Sequence, residues 1–466
     1  VVLMQSYNLY KSLVTNFEYE PTGDQKSAFK LLSSFIFDNK IKIFLLKGFA
    51  GTGKTTIMKT LIENLDQINI KFSLMAPTGR AAKVLSTYTK KKAYTIHRKI
   101  YYTKFDSTGV FKPRLKKNKN KNVLFIIDEA SLISDHDSQK ELFSTESLMN
   151  DIINHIDFKT NSKLIFLGDS AQLPPVKLSL SPALNKDFLL DKFKVDIDQI
   201  EMSNVVRQSN ESGILNNATT IRNKIFKNEF DFIFTESKDV INLNDGFEVQ
   251  DSIQSSYDEF GMSNTIIIVR SNKRANLYNE QIRKMILSKN HKVCVGDNLM
   301  ITKNNYFWLQ SDSEIPFLAN GDIIEVIEIY SFIEIYGFEF AKVKVKMLDY
   351  ENSKFFDTIL ILNSLDSETP SLNYEQNRNL YTQVSKDYEN VKSKYIKYKK
   401  TKENPYLNAL NVKFSYSITC HKAQGGQWPV VFIEKPYLKD GINNDYLRWL
   451  YTAVTRAENK VYLIGF

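Results

Sequence analysis

The stretch "GFAGTGKTT", residues 48–56, follows the apolar run "IKIFLL" and constrains this chain more than any other feature. From Gly48 through Gly53, Lys54 and Thr55 its spacing is G-x-x-x-x-G-K-T. The glycines, Gly51 among them, let the loop curl so that its N–H groups point inward at a polyphosphate. Lys54 can then reach the β- and γ-phosphates, and the Thr55 hydroxyl can ligate Mg²⁺. Ala50, Thr52 and Thr56 complete the cradle. The following "TIMKTLIENL" has helical periodicity, which sets the phosphates at a helix N-terminus. A glycine turn with an incidental lysine is the plain alternative, and the strand–loop–helix context speaks against it.

At 466 residues the chain is too long for one core, and its length suggests about three domains. A hydrophobic content of 42% is ordinary for a globular protein. No apolar run approaches the roughly 20 residues of a membrane span, and no signal peptide is read. Cys294 and Cys420 stand far apart in sequence, which predicts neither a metal pair nor a disulfide scaffold and fits a reducing compartment. A net charge of +9 with a pI of about 9.0 is compatible with nucleic acid but does not establish it.

Through the first half, strands alternate with helices. "IKIFLL", "FSLMAPT", "NVLFIIDEAS" and "KLIFLGD" are short buried runs, each ending in polar chemistry at Gly48, Thr78, Asp128 and Asp169. This pattern predicts a parallel sheet covered on both faces, with ligands at the carboxyl ends of its strands. Asp128 can bind Mg²⁺, and the adjacent Glu129 can orient and deprotonate an attacking water. The alternative is an acidic pair at a helix start. Gln172, in "LGDSAQLPPV", could contact a γ-phosphate or the water, or simply hold its loop.

The ordered motifs resemble those of superfamily 1 helicases, of the B branch with RecD-like and phage Dda-type enzymes. "PTGDQKSAF" is similar to the upstream Q-type motif, and "GFAGTGKTT" and "IIDEAS" to motifs I and II. "APTGRAAKVL", "YTIHR" and "GDSAQLPPV" resemble motifs Ia, Ib and III. "NVVRQSNESGILNNATTIRN", "SYSITCHKAQGGQWPVVFI" and "LYTAVTRAENKVYLIG" resemble motifs IV, V and VI. The resemblance spans Gln25 to Phe466. It implies an α/β fold of two RecA-like P-loop domains with an inserted pin and an SH3-like β-barrel plus helical insertion. The expected limits are 1–98 and 122–200 for the first RecA-like domain and 99–121 for the pin. Those of the second RecA-like domain are 201–292 and 406–466, and those of the barrel and helical insertion 293–405.

The resemblance also implies roles. Gln25 lies near the adenine, and Gln424 and Gly425 join the nucleotide site. Arg207 and Arg456 are the cations that a second domain offers across a cleft to the transferred phosphoryl group. For Arg456, a surface salt bridge with Glu458 is the alternative on charge alone. Pro77, Thr78, Thr95 and His97 in the first domain match nucleic-acid-facing positions, as do Ser417, Thr419 and His421 in the second. Hydroxyls and imidazoles suit phosphate contacts, which position a strand without reading it. ATP and Mg²⁺ are the implied cofactors. Single-stranded and forked DNA are the implied partners of a cytoplasmic monomer of bacterial or phage type, which moves 5′ to 3′. Repair, recombination and replication stay open.

Two further segments stand out. "YYTKF" and "VFKPRL" flank "DSTG" as a hairpin. The "KKNKNK" after it reads as a solvated basic loop. Around "CVGDNLMIT", "NGDIIEVIEIY" and "FAKVKVKML", short β-type runs suggest a small barrel. Tyr381, Val384, Tyr388, Val391, Tyr395 and Tyr398 then form an apolar stripe at helical spacing, read as packing. An ATP-driven DNA helicase is the first functional expectation. A translocase that remodels DNA or RNA complexes without unwinding is the second, and an idle P-loop binding module the third. Keeping Lys54, Asp128, Glu129, Gln172, Arg207 and Arg456 together argues against the third.

Overall fold

A computed structural model describes residues 2–105, 111–135, 147–175, 178, 180–205, 212–309, 317–348, 355–369, 371–439 and 441–466; at 103–105 and 111–113 it describes the backbone alone. In the first domain, residues 43–46 alternate between two cores. Phe44 and Leu46 face helices Gly23–Phe37 and Lys54–Gln67, while Ile43 and Leu45 face helices Leu148–Ile156 and Lys186–Phe193. A strand buried on both sides needs a continuous apolar run, which is what "IKIFLL" supplies. Six parallel strands form the sheet, in the order Ala93–Thr95, Phe72–Ala76, Leu124–Ile127, Lys163–Gly168, Ile41–Gly48, Asp196–Met202. The four expected strands are the central ones. The two edge strands carry weak signals: one has three residues, and the other, "DIDQIEM", is mostly polar and, among the described strands, pairs only with Ile41–Gly48.

The second domain repeats the plan with five parallel strands, Ser417–Thr419, Thr265–Val269, Trp428–Glu434, Ala457–Ile464 and Val240–Leu243. Between its halves runs a closed barrel of Asn298–Ile301, Ile323–Ile335, Phe338–Met347, Phe355–Ile361 and Leu410–Phe414. The closing strand lies beyond residue 405, where the insertion was expected to end. Helices Tyr374–Lys386 and Lys394–Lys402 are inserted before it and pack together as a hairpin. Val384 is buried against the barrel and Tyr388 packs beside it, whereas Tyr395 is exposed, so the tyrosine stripe is packing over part of its length only. Strands Tyr101–Phe105 and Phe111–Leu115 pair as the antiparallel pin-like hairpin, and its tip, 106–110, is outside the described residues. Both cysteines are free thiols; burial pushes that of Cys420 up to about 12. Among the described residues no helix is long and apolar enough to cross a membrane.

One buried carboxylate joins the barrel to the second domain. Asp297, fully buried, accepts from Arg283 Nε (3.2 Å) and Nη2 (3.0 Å), Lys289 Nζ (3.1 Å), Tyr416 Oη (3.0 Å) and its own turn at Cys294 N (2.7 Å). Removing it strands two cations in a low-dielectric site. Asp297→Ala is therefore expected to cost about 3–5 kcal/mol, read as a lower urea midpoint. An unchanged midpoint would show that the joint contributes nothing.

Candidate active site

Gly51 (φ 77°) and Gly53 (φ 84°) hold left-handed backbone, which turns the loop into the helix beginning at Lys54. Gly48 is needed for space, since a Cβ there would lie 2.8 Å from Thr52 Oγ1. Lys54 Nζ donates to Gly48 O (2.5 Å) and Phe49 O (3.0 Å), and Thr55 and Thr56 follow it half-buried in the first helical turn. Gln25 closes a capping box, its Oε1 accepting from Thr22 N (2.9 Å), and its Nε2 donates to Thr52 O (3.1 Å). The residue expected beside the adenine is thus bonded to the phosphate loop.

Asp128 closes its strand, and its carboxylate accepts from Glu129 N (2.8 Å). Burial pushes its pKa up to about 6, the Glu129 charge adds to this, and Lys54 and Arg456 offset only part of it. A buried carboxylate under like-charge pressure suits a divalent cation, and a Thr55 hydroxyl with one carboxylate is the hard, sparse oxygen set that Mg²⁺ uses beside phosphates and water. Among the described residues no group of three or more His, Cys, Asp or Glu gathers into a denser metal site.

Glu129 (φ 51°) turns towards the second domain. Arg456, only 4% exposed, sets Nη1 3.7 Å from Glu129 Oε1. Its guanidinium is aimed by bonds to Thr452 O (3.1 Å), Gly426 O (3.2 Å) and Thr455 Oγ1 (3.2 Å). The acidic partner is thus Glu129 across the cleft rather than Glu458. Gln172 and Gln424 are buried with no partner at either Oε1 among the described residues, and Gln424 Nε2 donates to Leu173 O (2.8 Å). Gly425 (φ 75°) packs where a Cβ would meet Ala81 Cβ at 2.8 Å and Thr78 Oγ1 at 3.3 Å. It therefore seats against the Thr78 turn. Arg207 lies outside the described residues; just before it, Asp24 accepts from Ser203 N (2.8 Å) and Asn204 N (3.0 Å).

A second connection escaped the sequence reading, although "LYTAVTRA" was in view. On helix Asn444–Val454, Tyr451 is buried between domains. Its hydroxyl accepts from Ala50 N of the phosphate loop (2.9 Å) and donates to Asp169 (2.7 Å). Burial and the Asp169 charge raise its pKa far above the usual phenol value, so the proton stays. Thr452 Oγ1 accepts from Leu173 N (2.8 Å), and Arg448 Nη1 donates to Ser170 O (2.6 Å). The helix that ends just before Arg456 is thereby tied to the loop holding Gln172.

A groove of about 1360 Å³ runs between the two sheet domains and the barrel. Pro77, Thr78, Thr95, His97 and His421, the positions matched to nucleic-acid-facing motifs, line it. The Thr78 and Thr95 hydroxyls also cap helices, accepting from Ala81 N (3.2 Å) and Arg98 N (3.2 Å). Ser417 and Thr419 do not line it. Ser417 is buried, its N donating to Asn279 Oδ1 (2.8 Å). Burial lowers the His421 pKa, which leaves the ring neutral at neutral pH. Unforeseen groove residues include Lys422, which donates to Asn320 Oδ1 of the barrel (2.6 Å), and Arg80, stacked 3.9 Å from the centroid of Trp428. Lys422 stood beside His421 in "TCHKAQGG", but which of its cations faces a groove depends on the barrel.

Residues 23–236 match the AAA domain family and residues 414–464 the UvrD-like helicase C-terminal domain. The chain is 26% identical to the ATP-dependent DNA helicase dda of Enterobacteria phage T4, over 95% of this chain and 99% of that one. It is 25% identical to uncharacterized protein R530 of Acanthamoeba polyphaga mimivirus, over 94% and 98%. It is 26% identical to the RecBCD subunit RecD of Buchnera aphidicola, over 90% of this chain and 69% of RecD. Two nucleotide-fold domains that share one phosphate loop, in a chain that aligns with Dda over nearly its whole length, belong to the B branch of superfamily 1, the ATP-hydrolysing helicases of RecD and Dda type.

Proposed function

We propose that the chain is an ATP-dependent DNA helicase that moves 5′ to 3′ along a single strand and separates the duplex ahead of it. The reading rests above all on Arg456 of the second domain reaching Glu129 beside Asp128 of the first, at 3.7 Å. In this reading Lys54 and the loop N–H groups hold the phosphates, and Thr55 and Asp128 hold Mg²⁺. When bound there, Mg²⁺ would supply charge that offsets that of the phosphate oxygens. Glu129 takes the proton of the attacking water, Gln172 orients that water, and Arg456 leaves Glu129 for the transferred phosphoryl oxygens. Arg207 is the second candidate cation. Because Arg456 and Tyr451 belong to one tied segment, nucleotide occupancy and domain closure become linked. The groove at Thr78, Thr95, His97 and His421 would carry the strand by phosphate contacts. Such an activity suits repair, recombination or replication.

The test is unwinding of duplexes bearing a tail on one end, with ATP hydrolysis measured with and without single-stranded DNA or RNA. A 5′ tail should support unwinding and a 3′ tail little. Base stacking resists by about 1.4 kcal/mol per step, which makes a rigid hairpin ahead of the strand mechanically useful. Replacing residues 103–114 with a short Gly-Ser turn should spare DNA-stimulated hydrolysis and strongly reduce strand separation. Preference for 3′ tails would overturn the direction. Stimulated hydrolysis without unwinding in the parent protein would favour the remodelling translocase.

A further inference from the structure

The "KKNKNK" segment is exposed at Lys117 and over 119–121, but it does not stand alone. Lys116, Lys117 and Lys119 line a second groove of about 1090 Å³ together with Lys71, Arg98 and Lys99. Among the described residues that line it, Asp66 is the only carboxylate, and it already pairs with Lys91 at 2.7 Å. Six cations therefore converge with almost no opposing charge.

The groove's place in the fold is informative. Lys71 and Val123 immediately precede strands Phe72–Ala76 and Leu124–Ile127, so it lies at the start edge of the sheet, whereas Asp128 and the phosphate loop lie at the finish edge. Five residues of strand separate the two edges by about 15 Å. The groove also brackets the hairpin. Arg98 and Lys99 lead into it, and Lys116 and Lys117 follow it. Helix Ile96–Ile100 forms a partition: His97 faces the 1360 Å³ groove, while Arg98 and Lys99 line this one.

The cations are held close. Lys99 and Arg98 sit 5.2 and 5.5 Å from the ring centroid of Tyr94, and Lys116 Nζ donates to Arg98 O (3.2 Å). Burial lowers the pKa of Lys116, and the charges of Lys99 and Arg98 lower it further. His155 binds Lys116 O through Nδ1 (2.6 Å); burial lowers its pKa, that bond offsets part of the shift, and the charges of Lys99 and Lys116 lower it further. Cations that repel one another in a partly dry groove are relieved by a polyanion, and a phosphodiester backbone is the one that a helicase meets.

We propose that this groove, resting on the helicase reading above, binds backbone phosphates of nucleic acid that has not been threaded through the first groove. Those phosphates belong either to the displaced strand or to the duplex arm, and both would pass the hairpin root.

Equilibrium binding without nucleotide tests this, on single-stranded DNA, a 5′-tailed duplex and a fork with two tails. The probe variant is Lys71→Gln/Lys117→Gln/Lys119→Gln, all at exposed positions. Fork affinity should fall on the order of tenfold, and the slope of log affinity against log salt should drop by about 2–3. Single-strand affinity should stay at the parent value. Loss on the fork alone assigns the displaced strand, and equal loss on the tailed duplex assigns the duplex arm. Lys99→Gln, inside the groove, should weaken the same substrates. Parent-level fork binding by both variants, or equal loss on single strands, would overturn the proposal. A parent protein that binds forks without unwinding them would sink the helicase reading and leave this binding comparison intact.

Discussion

Glu129→Gln is expected to bind ATP as tightly as the parent and to hydrolyse it about 10²- to 10⁴-fold more slowly, the usual share of a general base. The amide has the size of the carboxylate and can keep the φ 51° turn, but it cannot accept a proton at neutral pH. The same change removes the second-largest cause of the high Asp128 pKa, so Asp128 should ionise at lower pH in the variant. Weakened metal or nucleotide binding is therefore not expected, and a slow rate would trace to chemistry. Single-turnover phosphate release, with nucleotide affinity measured separately, makes the distinction. Hydrolysis at the parent rate would remove Glu129 from its proposed role.

Arg456→Ala is expected to lower ATP turnover by at least about 10²-fold, the cautious side of an arginine finger at 10³–10⁵. Affinity for single-stranded DNA without nucleotide should stay nearly intact, because Arg456 is not among the residues lining the groove. The substitution also leaves Glu129 without its cation, so an electrostatic loss must be separated from a geometric one. Arg456→Lys does this. It keeps a charge near Glu129 but cannot reproduce the three guanidinium bonds to Thr452, Gly426 and Thr455. A planar fork that matters should leave Arg456→Lys nearly as slow as Arg456→Ala. A parent denaturation midpoint in both variants would exclude unfolding as the cause. Normal turnover in Arg456→Ala would show the residue to be structural only.

Features governed by neighbouring residues were legible in the sequence. The phosphate loop follows from glycines and a lysine within eight positions, because left-handed turns and a helix start are local matters. The four central strands follow from apolar runs, because burial on both faces leaves no room for polar alternation. The hairpin follows from two β-prone runs about a turn. Strand Asp196–Met202 was not legible, since a polar edge strand is specified by the partner that supplies its hydrogen bonds. Nor was the fifth barrel strand, which closes the barrel only after two helices have intervened.

The site divides in the same way. Lys54, Asp128 and Glu129 stand where their motifs put them, at loop and strand ends of one sheet. What tertiary structure alone decided was which groups meet across the cleft. Arg456 turns from its sequence neighbour Glu458 to Glu129, and Tyr451 ties the phosphate loop to Asp169. Ser417 is withdrawn into its own domain, and "KKNKNK" joins Lys71 and Lys99 in a second groove. Periodicity and motif spacing report on a few turns of chain. The meeting of two domains depends on which faces they bury against each other, a property of both surfaces at once that no single stretch of residues encodes.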